Sequence, residues 1–273
     1  MPLLLRNPSI AIGGGIVVLM VLLALFAPYL QTIDPLSMNP LNRMKDPSSA
    51  FWFGTDAYGR DLYSRVLYGG RTSLTVGFAV AVLSTGVGLL IGLIAGYYRS
   101  LDGVVMRIMD GLMAIPAVLL AIALSALLGG SVLNVVIAIA VAESPRVVRL
   151  IRGIVLSLRE RQYVEAALIS GVSRSRIIVR HILPSTFAPL AVQATYVFAS
   201  AMVLEAILSF IGAGIPPTTP SWGNIIAEGR QLWQIKFFII LYPALFLSLT
   251  VFAINIFGDG LRDRLDQRGD RHL

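Results

Sequence analysis

The sequence contains no cysteine and only two histidines in 273 residues. Without cysteine, the chain has no disulfide, thiolate nucleophile, iron–sulfur ligand or c-type haem attachment. His181 and His272 are too few for a multi-histidine metal or haem site inside a membrane. We therefore expect no cofactor and no metal on this chain.

Charged residues are also scarce: they make up 14% of the chain, against roughly 25% in an ordinary soluble domain. Hydrophobic residues make up 56%. A soluble fold of this length needs polar residues to cover its surface, so this balance predicts an integral membrane protein. The formal net charge of +7 fits the excess of basic residues in cytoplasmic loops of membrane proteins and does not indicate nucleic-acid binding.

Two catalytic motifs are missing as well, because the sequence has neither a phosphate-binding GxxxxGK(S/T) loop nor a zinc-type HExxH. The chain is therefore expected not to be an enzyme, and any energy source must lie on another subunit. A secondary transporter would show inverted repeats and acids at mid-membrane depth, and an intramembrane enzyme would show a nucleophile–base pair. Neither pattern is visible.

Runs without Asp, Glu, Lys or Arg mark the candidate membrane spans, because a bilayer core of about 30 Å needs about 20 mostly apolar residues in a helix. The runs cover residues 7–33, 72–98, 111–142, 181–204 and 237–258. The first could be mistaken for a signal peptide, but its long apolar core and Pro28 after Ala27 predict an uncleaved anchor.

The third run is about twice the length of one span and holds Leu128-Gly129-Gly130-Ser131 near its middle. With ends at about Val104 and Val148, it fits two helices joined by a tight turn. The prediction is an all-α integral membrane protein with six transmembrane helices and both termini cytoplasmic. Counting basic residues alone leaves a five-span alternative open, and the length of this run favours six.

The interior loop at about residues 158–184 has the pattern of two short amphipathic helices that meet at a turn. Gly171 can take the left-handed conformation that ends the first helix, Ser173 can cap the second, and Pro184 is expected to interrupt it. Such a helix–turn–helix is suited to docking in a groove on another protein. The residues at helical spacing on one side are Val164, Ala167, Leu168, Ile177, Ile178, His181 and Ile182.

Glu165-Ala166-Ala167, with Gly171 six residues after the glutamate and Leu183-Pro184 further on, resembles the EAA loop of ABC importer permeases. His181 stands where the family pattern has Ile, a departure that is common in the dipeptide, oligopeptide and nickel branch. In that family the loop is the coupling helix, which sits in a cleft of the cytoplasmic ATPase. The resemblance assigns ATPase coupling to Glu165, Ala166, Ala167, Gly171, Ser173, His181 and Pro184.

Other segments resemble the C-type permease subunit of the same branch, in the same order along the chain. Residues 53–65 and 70–74 are similar to the segment before the family's second span, residues 208–223 to the end of its fifth span, and residues 258–263 to its C-terminal signature. The resemblance implies the type I ABC importer permease fold. Residues 1–71 would form the anchor span and exterior segment, and residues 72–273 the transmembrane domain with the coupling loop.

The resemblance also implies partners and a location. These are a homologous second permease, two cytoplasmic ATP-binding subunits that carry ATP and magnesium, an extracytoplasmic solute-binding protein, and the lipid of a bacterial cytoplasmic (inner) membrane. The implied solutes are di- or oligopeptides, with nickel or a nickel chelate as the alternative. Nothing in the sequence itself names the solute.

Several charged or small residues keep two interpretations each. Glu205 is either a pathway or gate residue or a structural hydrogen-bonding group between helices. Asp56, Arg60 and Asp61, with Arg65, form either a salt-bridged surface helix or an exterior contact for a partner. Glu143 and Asp110 are expected to pair with Arg146 and Arg107. The small residues Ser84, Gly88, Gly92 and Gly96 permit close packing either within the chain or against a partner permease.

Overall fold

The computed structural model describes residues 8–269 of the chain and the side chains of residues 8–265. This part of the chain is helical apart from its connecting segments and one isolated β-bridge between Thr55 and Asp61. A short 3-10 turn covers Pro40–Asn42, and a π-helical turn covers Ile178–Ile182. The α-helices are α1 Pro8–Leu25, α2 Ala27–Leu30, α3 Leu62–Tyr97, α4 Arg99–Met113, α5 Ala117–Leu128, α6 Val132–Arg159, α7 Gln162–Ile169, α8 Arg174–Ile177, α9 Leu183–Phe210, α10 Trp222–Gly229 and α11 Phe238–Gly269.

Four helical stretches within the described range are long and apolar enough to cross a membrane: Pro8–Leu25, Leu62–Tyr97, Arg174–Phe210 and Phe238–Leu265. The bent pair α4 and α5 adds a fifth if the two helices together form one span. Helix α6 has 28 residues but carries several charged side chains along its length. The predicted boundary between residues 71 and 72 lies inside α3.

The helix expected from about Val104 to Leu128 is divided in two in the structure, which corrects the prediction of one helix of span length; the division falls at Pro116, a residue that by itself indicates a bend. Helices α4 and α5 meet at 90° across residues 114–116. Pro116 stands directly before α5; it has no backbone N–H, and it disfavours a helical conformation at the residue before it. The 12 residues of α5 extend about 18 Å, so this helix alone does not cross a bilayer core.

The turn expected at the end of this helix is confirmed. Helix α5 ends at Leu128, and Gly129 follows with a φ of 86°, a conformation that L side chains rarely adopt. The hydroxyl of Ser131 then caps α6 by accepting the backbone N–H of Asn134 at 3.1 Å. Local turn chemistry therefore separates α5 from α6 as the sequence indicates.

The glycine ridge of α3 packs against α6 within this chain, so the intrachain interpretation is the one that the structure contains. A Cβ added at each ridge glycine would lie 2.5–2.7 Å from the Cβ of a β-branched residue on α6. The hydroxyl of Ser84 extends the contact by donating to the Ala140 carbonyl at 3.1 Å. The facing pairs are Gly88 with Val147, Gly92 with Ile151, and Gly96 with Val155.

A second close junction involves the segment at residues 258–263. Gly258 faces Thr195 of α9, where an added Cβ would lie 2.2 Å from the threonine hydroxyl oxygen. Gly260 faces α1, where an added Cβ would lie 2.8 Å from a side-chain carbon of Ile10. Between them, the carboxylate of Asp259 accepts a hydrogen bond from the hydroxyl of Tyr196. Two glycines and one acid thus join α1, α9 and α11.

We predict that Gly92→Ala destabilises the protein by about 1–3 kcal/mol, because the added methyl group forces α3 and α6 apart. Gly86→Ala is the matched control on the same helix, since a Cβ at that position has no neighbour within 4 Å. There, alanine should stabilise the helix by roughly 0.5–1 kcal/mol. Thermal unfolding of the purified protein in detergent measures both changes, and equal midpoints for the two variants would contradict this packing.

Candidate functional site

The predicted turn of the interior loop is present in the structure with its full hydrogen-bond pattern. Gly171 has a φ of 77°, and its N–H donates to the carbonyl of Leu168 at 3.1 Å. The N–H of Val172 donates to the carbonyl of Ala167, also at 3.1 Å. These two bonds form a Schellman motif, which uses the last carbonyls of α7 and ends the helix at a left-handed glycine.

The loop is held rigidly because its apolar residues join the core of the helix bundle. Val164 of α7, Ile177 of α8 and Ile182 of the π-helical turn are buried in the same cluster as Ile151 and Val155 of α6. Burial of such side chains stabilises the attachment by about 1.5–3 kcal/mol each. The loop is therefore a rigid extension of the ends of α6 and α9.

The tip of the loop presents apolar side chains to its surroundings. Ile169, beside the turn, is 87% exposed. Leu168, on the predicted apolar side of α7, is 54% exposed and borders an open cavity next to the end of α3. Exposed apolar side chains on a rigid protrusion are typical of a surface that another protein covers.

Most of the residues assigned to coupling lie on this exposed side. Glu165, Ala166, Gly171, Ser173 and Pro184 are exposed, whereas Ala167 and His181 are half-buried. The carboxylate of Glu165 makes no ion pair with Arg161 or with any other described side chain. The local salt bridge that would make Glu165 an ordinary solvated helix residue is therefore absent from the described part of the chain.

Two expectations about the second half of the loop need correction. Ser173 occupies the N-cap position of α8, but its hydroxyl makes no capping hydrogen bond. The helix is not interrupted at Pro184, since the chain stays helical from Arg174 to Phe210. The π-helical turn explains this. The backbone N–H of Leu183 donates to the carbonyl of Ile178, which ends the π-helical turn, and Pro184 then stands in the first turn of α9, where a missing N–H breaks no helical hydrogen bond.

Ion pairs connect α6 to α4 close to the loop. Arg152 of α6 holds both carboxylate oxygens of Asp102, with Nη2 2.7 Å from Oδ2. Arg149 pairs with Asp110 at 2.6 Å, so the expectation that Asp110 pairs with Arg107 is wrong. The reason is geometric: Asp102 and Asp110 both contact arginines of α6, so the acidic side of α4 faces that helix.

Glu143 of α6 pairs with Arg146 at 3.4 Å, as expected. It also accepts a hydrogen bond from the hydroxyl of Ser200 on α9 at 2.9 Å. The glutamate is buried, whereas the arginine is exposed. This acid therefore serves as a contact between α6 and α9.

Glu205 is fully buried at the meeting point of three helices. Its Oε1 accepts hydrogen bonds from the hydroxyls of Ser209 and Ser221, both at 2.8 Å, and its Oε2 accepts one from Ser73 at 3.3 Å. Ser73 lies on α3, and Ser221 caps α10. The oxygen of Ser73 also accepts the backbone N–H of Trp222 at 3.1 Å. The structural interpretation of Glu205 is thus present, and its role in a pathway or gate stays a prediction.

The charged residues before and at the start of α3 form a buried network instead of an exposed helix face. Nε of Arg60 lies 2.6 Å from a carboxylate oxygen of Asp56, and Nη2 of Arg65 lies 3.0 Å from a carboxylate oxygen of Glu228 on α10. Arg60 also contacts Glu228. The side chain of Arg65 is 0% exposed. Two arginines and two acids thus compensate each other inside the chain.

Asp61 is buried next to this network and caps α3. Its carboxylate accepts the backbone N–H of Ser64 at 2.9 Å and the hydroxyl of Thr32 at the same distance. The side chains of Asp56, Arg60 and Asp61 are therefore enclosed by their own chain. Their assignment as an exterior contact for a partner stays a prediction. Because these side chains are enclosed, the segment before α3 that they hold in place would make the contact.

The sequence did not single out Glu228 or the serines around Glu205. One signal could have identified Glu228: it is the one acid in residues 214–236, and the two arginines near the start of α3 need a compensating charge if they are buried. Glu228 lies 163 residues from Arg65 along the chain, so no local pattern relates them.

The long apolar helices are typical of a membrane protein, and the exposed apolar side chains at the tip of the loop are typical of a surface that another subunit covers. Residues 88–271 match the family of the binding-protein-dependent transport system inner membrane component, and residues 3–47 match the N-terminal TM domain of oligopeptide transport permease C. The chain belongs to the family of binding-protein-dependent transport system inner membrane components. It is a permease subunit of an ABC importer in the inner membrane, as the resemblance implied.

Relatives cover almost the whole chain. It is 53% identical over 266 residues to the probable peptide ABC transporter permease protein y4tQ of Sinorhizobium fredii, covering 97% of this chain and 91% of the relative. It is 43% identical to the dipeptide transport system permease protein DppC of Alkalihalophilus pseudofirmus, covering 97% and 88% of the two chains.

Solved structures of the MetNI methionine ABC transporter in inward-facing conformations share the fold. One of them has a TM-score of 0.62 at 19% identity, over 74% of this chain and 97% of that chain. Together with the family match, this similarity confirms a type I ABC permease fold.

We predict that Glu205→Gln retains stability and transport if the group serves only to hold three helices together, since the amide oxygen still accepts hydrogen bonds. Glu205→Ala should cost about 1–3 kcal/mol for each hydroxyl left unpaired. Unfolding temperature and solute uptake should be measured on both variants. Loss of uptake in a stable Glu205→Gln protein would show that the acid itself is needed in the pathway or gate.

Proposed function

We propose that this chain forms half of the translocation path of an ATP-driven importer for di- or oligopeptides. The support for this class of solute is that relatives at 53% and 43% identity are named as peptide and dipeptide permeases. The other half of the path would come from a homologous second permease. An extracytoplasmic binding protein would deliver the solute, and two cytoplasmic subunits would bind ATP and magnesium.

The proposed topology has six spans, with both termini in the cytoplasm. The spans are α1, α3, the bent pair α4 and α5, α6, α9 and α11. The length of α6 supports its inclusion, because 28 residues extend about 42 Å, more than a bilayer core. Residues 1–7 and 270–273 lie outside the described range. An even number of spans gives both termini the same side, and four of the proposed spans precede the loop at residues 158–184, so a cytoplasmic loop implies cytoplasmic termini.

The single observation that carries the coupling proposal is the construction of the loop at residues 158–184. Its base is buried against α6, while Ile169 and Leu168 at its tip are exposed. A protrusion built in this way transmits motion as a rigid body. When ATP closes the ATPase dimer, the loop moves with its cleft, and the attached spans rock to expose the path alternately to each side.

Residues Glu165, Ala166, Ala167, Gly171, Ser173, His181 and Pro184 are proposed to form or position this contact. The ring of His181 lies 6.4 Å, centroid to centroid, from that of Tyr163, so it joins the two halves of the loop. The chain itself contributes no hydrolytic group. On the opposite side, the segment supported by Asp56, Arg60 and Asp61 is proposed to receive the solute-binding protein, with these buried side chains fixing its shape.

We predict that Gly171→Val abolishes coupling while the protein remains in the membrane with its ATPase subunits attached. A β-branched residue in a left-handed conformation costs about 1–3 kcal/mol, which disturbs the turn that positions α7 against α8. Uptake should fall by about tenfold or more. Gly153→Val on α6 is the control, because this glycine is exposed, with helical neighbours and open space around its Cβ position. Unimpaired uptake in Gly171→Val, with the ATPases still bound, would disprove the docking role.

We predict that a cysteine at Ser173 is labelled by a membrane-impermeant maleimide only after the cytoplasmic face is opened. The chain contains no cysteine, so the reaction has no background from this subunit. Ser49→Cys in the segment before α3 serves as the paired control and should react in intact cells, since Ser49 is exposed. Labelling of Ser173→Cys from the outer face would refute the six-span topology.

A further inference from the structure

A cavity of about 410 Å³ lies between the coupling loop and the corner where α3 meets α4. Its volume falls in the range of roughly 300–1,000 Å³ that is usual for small-molecule sites. Arg99 and Ser100 line it from the start of α4, Arg159 from the end of α6, and Arg174 and Glu165 from the loop. The cavity is thus bordered by the corner of α3 and α4, by the end of α6 and by the coupling loop.

The charge of the cavity is positive and only partly compensated. Three of its lining side chains are arginines, and one is an acid. Arg159 donates to the carbonyl of Gly96 at 3.3 Å, at the end of α3. Arg99 and Arg174 are exposed, and neither makes an ion pair with a carboxylate among the described side chains. Guanidinium groups that line one cavity supply the charge and the paired N–H donors that bind a phosphate group.

The aromatic residues of the cavity are of the type found at the depth of lipid headgroups. Tyr97 and Tyr98 line it, with ring centroids 5.2 Å apart, and such residues concentrate at membrane–water interfaces. Helix α4, which starts at the cavity, lies at 90° to α5. It exposes Leu101, Val104 and Ile108, which recur at helical spacing on one side. An amphipathic helix with basic and aromatic residues at its first turn is typical of one that begins at the membrane interface.

We propose that this cavity binds a phosphate group, supplied by the headgroup of an anionic phospholipid of the cytoplasmic leaflet. The arginines would hold the phosphate, and the exposed apolar side of α4 would contact the acyl chains. A free phosphate ion would use only the first of these features, which is why the lipid is the favoured source. The cytoplasmic leaflet rests on the proposed topology, but binding itself does not.

The position of the site gives the lipid a role in coupling. A headgroup held between Arg99 and Arg174 bridges the first turn of α4 to the first turn of α8. The loop is then held against the membrane surface through the lipid as well as through its buried base. Anionic lipid would therefore reinforce the attachment of the coupling loop to α4, and ATPase coupling would depend on the lipid composition of the membrane.

The test uses the full transporter complex, delipidated in detergent and titrated with phosphatidylglycerol or phosphatidylcholine, with bound lipid counted by native mass spectrometry. The double variant Arg99→Gln with Arg174→Gln should weaken phosphatidylglycerol binding by about fivefold for each arginine removed. Arg107→Gln with Arg176→Gln is the matched control, because it removes equal charge from exposed positions on the same two helices, outside this cavity. Arg99→Lys with Arg174→Lys retains charge and should retain most of the binding.

Each outcome decides the proposal. Stronger binding of phosphatidylglycerol than phosphatidylcholine, lost in the cavity variant and kept in the control, supports it. Equal losses in both variants would overturn it, as they would indicate a diffuse charge effect. Displacement of the lipid by an equal concentration of inorganic phosphate would overturn the lipid as the source of the phosphate group. Lipid binding seen only in the absence of the ATPase subunits would also overturn the proposal, because it would show that an ATPase subunit fills the cavity in the assembled transporter. Because no reading depends on ATP or on peptide, failure here leaves the proposed transport function intact.

Discussion

The close approach of α3 and α6 is the constraint on which the rest of the structure depends. At three successive turns of α3 only glycine fits against β-branched side chains of α6. Without a hydrophobic driving force between helices in lipid, such small-residue packing supplies the association of spans. Because the second half of α6 is fixed in this way, its C-terminal end offers a rigid base for the loop at residues 158–184, and its arginines can hold α4 in place.

The buried polar groups extend this rigidity to the other side of the bundle. Glu205 joins α3, α9 and α10 through three serine hydroxyls, and the network around Arg65 joins α3 to α10 through Glu228. Unpaired polar groups are costly in a low-dielectric interior, so these contacts fix unique positions for the helices that carry them. The segment before α3 and the loop at the opposite end are thus connected through one rigid pair, α3 and α6.

Two turns set by neighbouring residues could be predicted from the sequence, whereas features set by distant contacts could not, and the local expectations at Ser173 and Pro184 failed because a π-helical turn lies between them. The turn at Gly171 and the break at Gly129 follow from local backbone preferences, and both are present. Pro116 indicates a bend within the third apolar run, but nothing local to it sets the angle of 90° between α4 and α5. The partner of Arg65 lies 163 residues away, and the choice between packing partners for the glycine ridge needed the position of α6.

The central claim is that the coupling loop moves as a rigid extension of α6. The most direct test uses spin labels at Ile169→Cys, on the tip of the loop, and at Gly153→Cys, on α6. Double electron–electron resonance measures the distance between the two labels in the assembled transporter. The account predicts the same distance without nucleotide and with ATP bound, while label distances across the two permeases change. A shift of the 169–153 distance by a helical turn, about 5 Å, would contradict it.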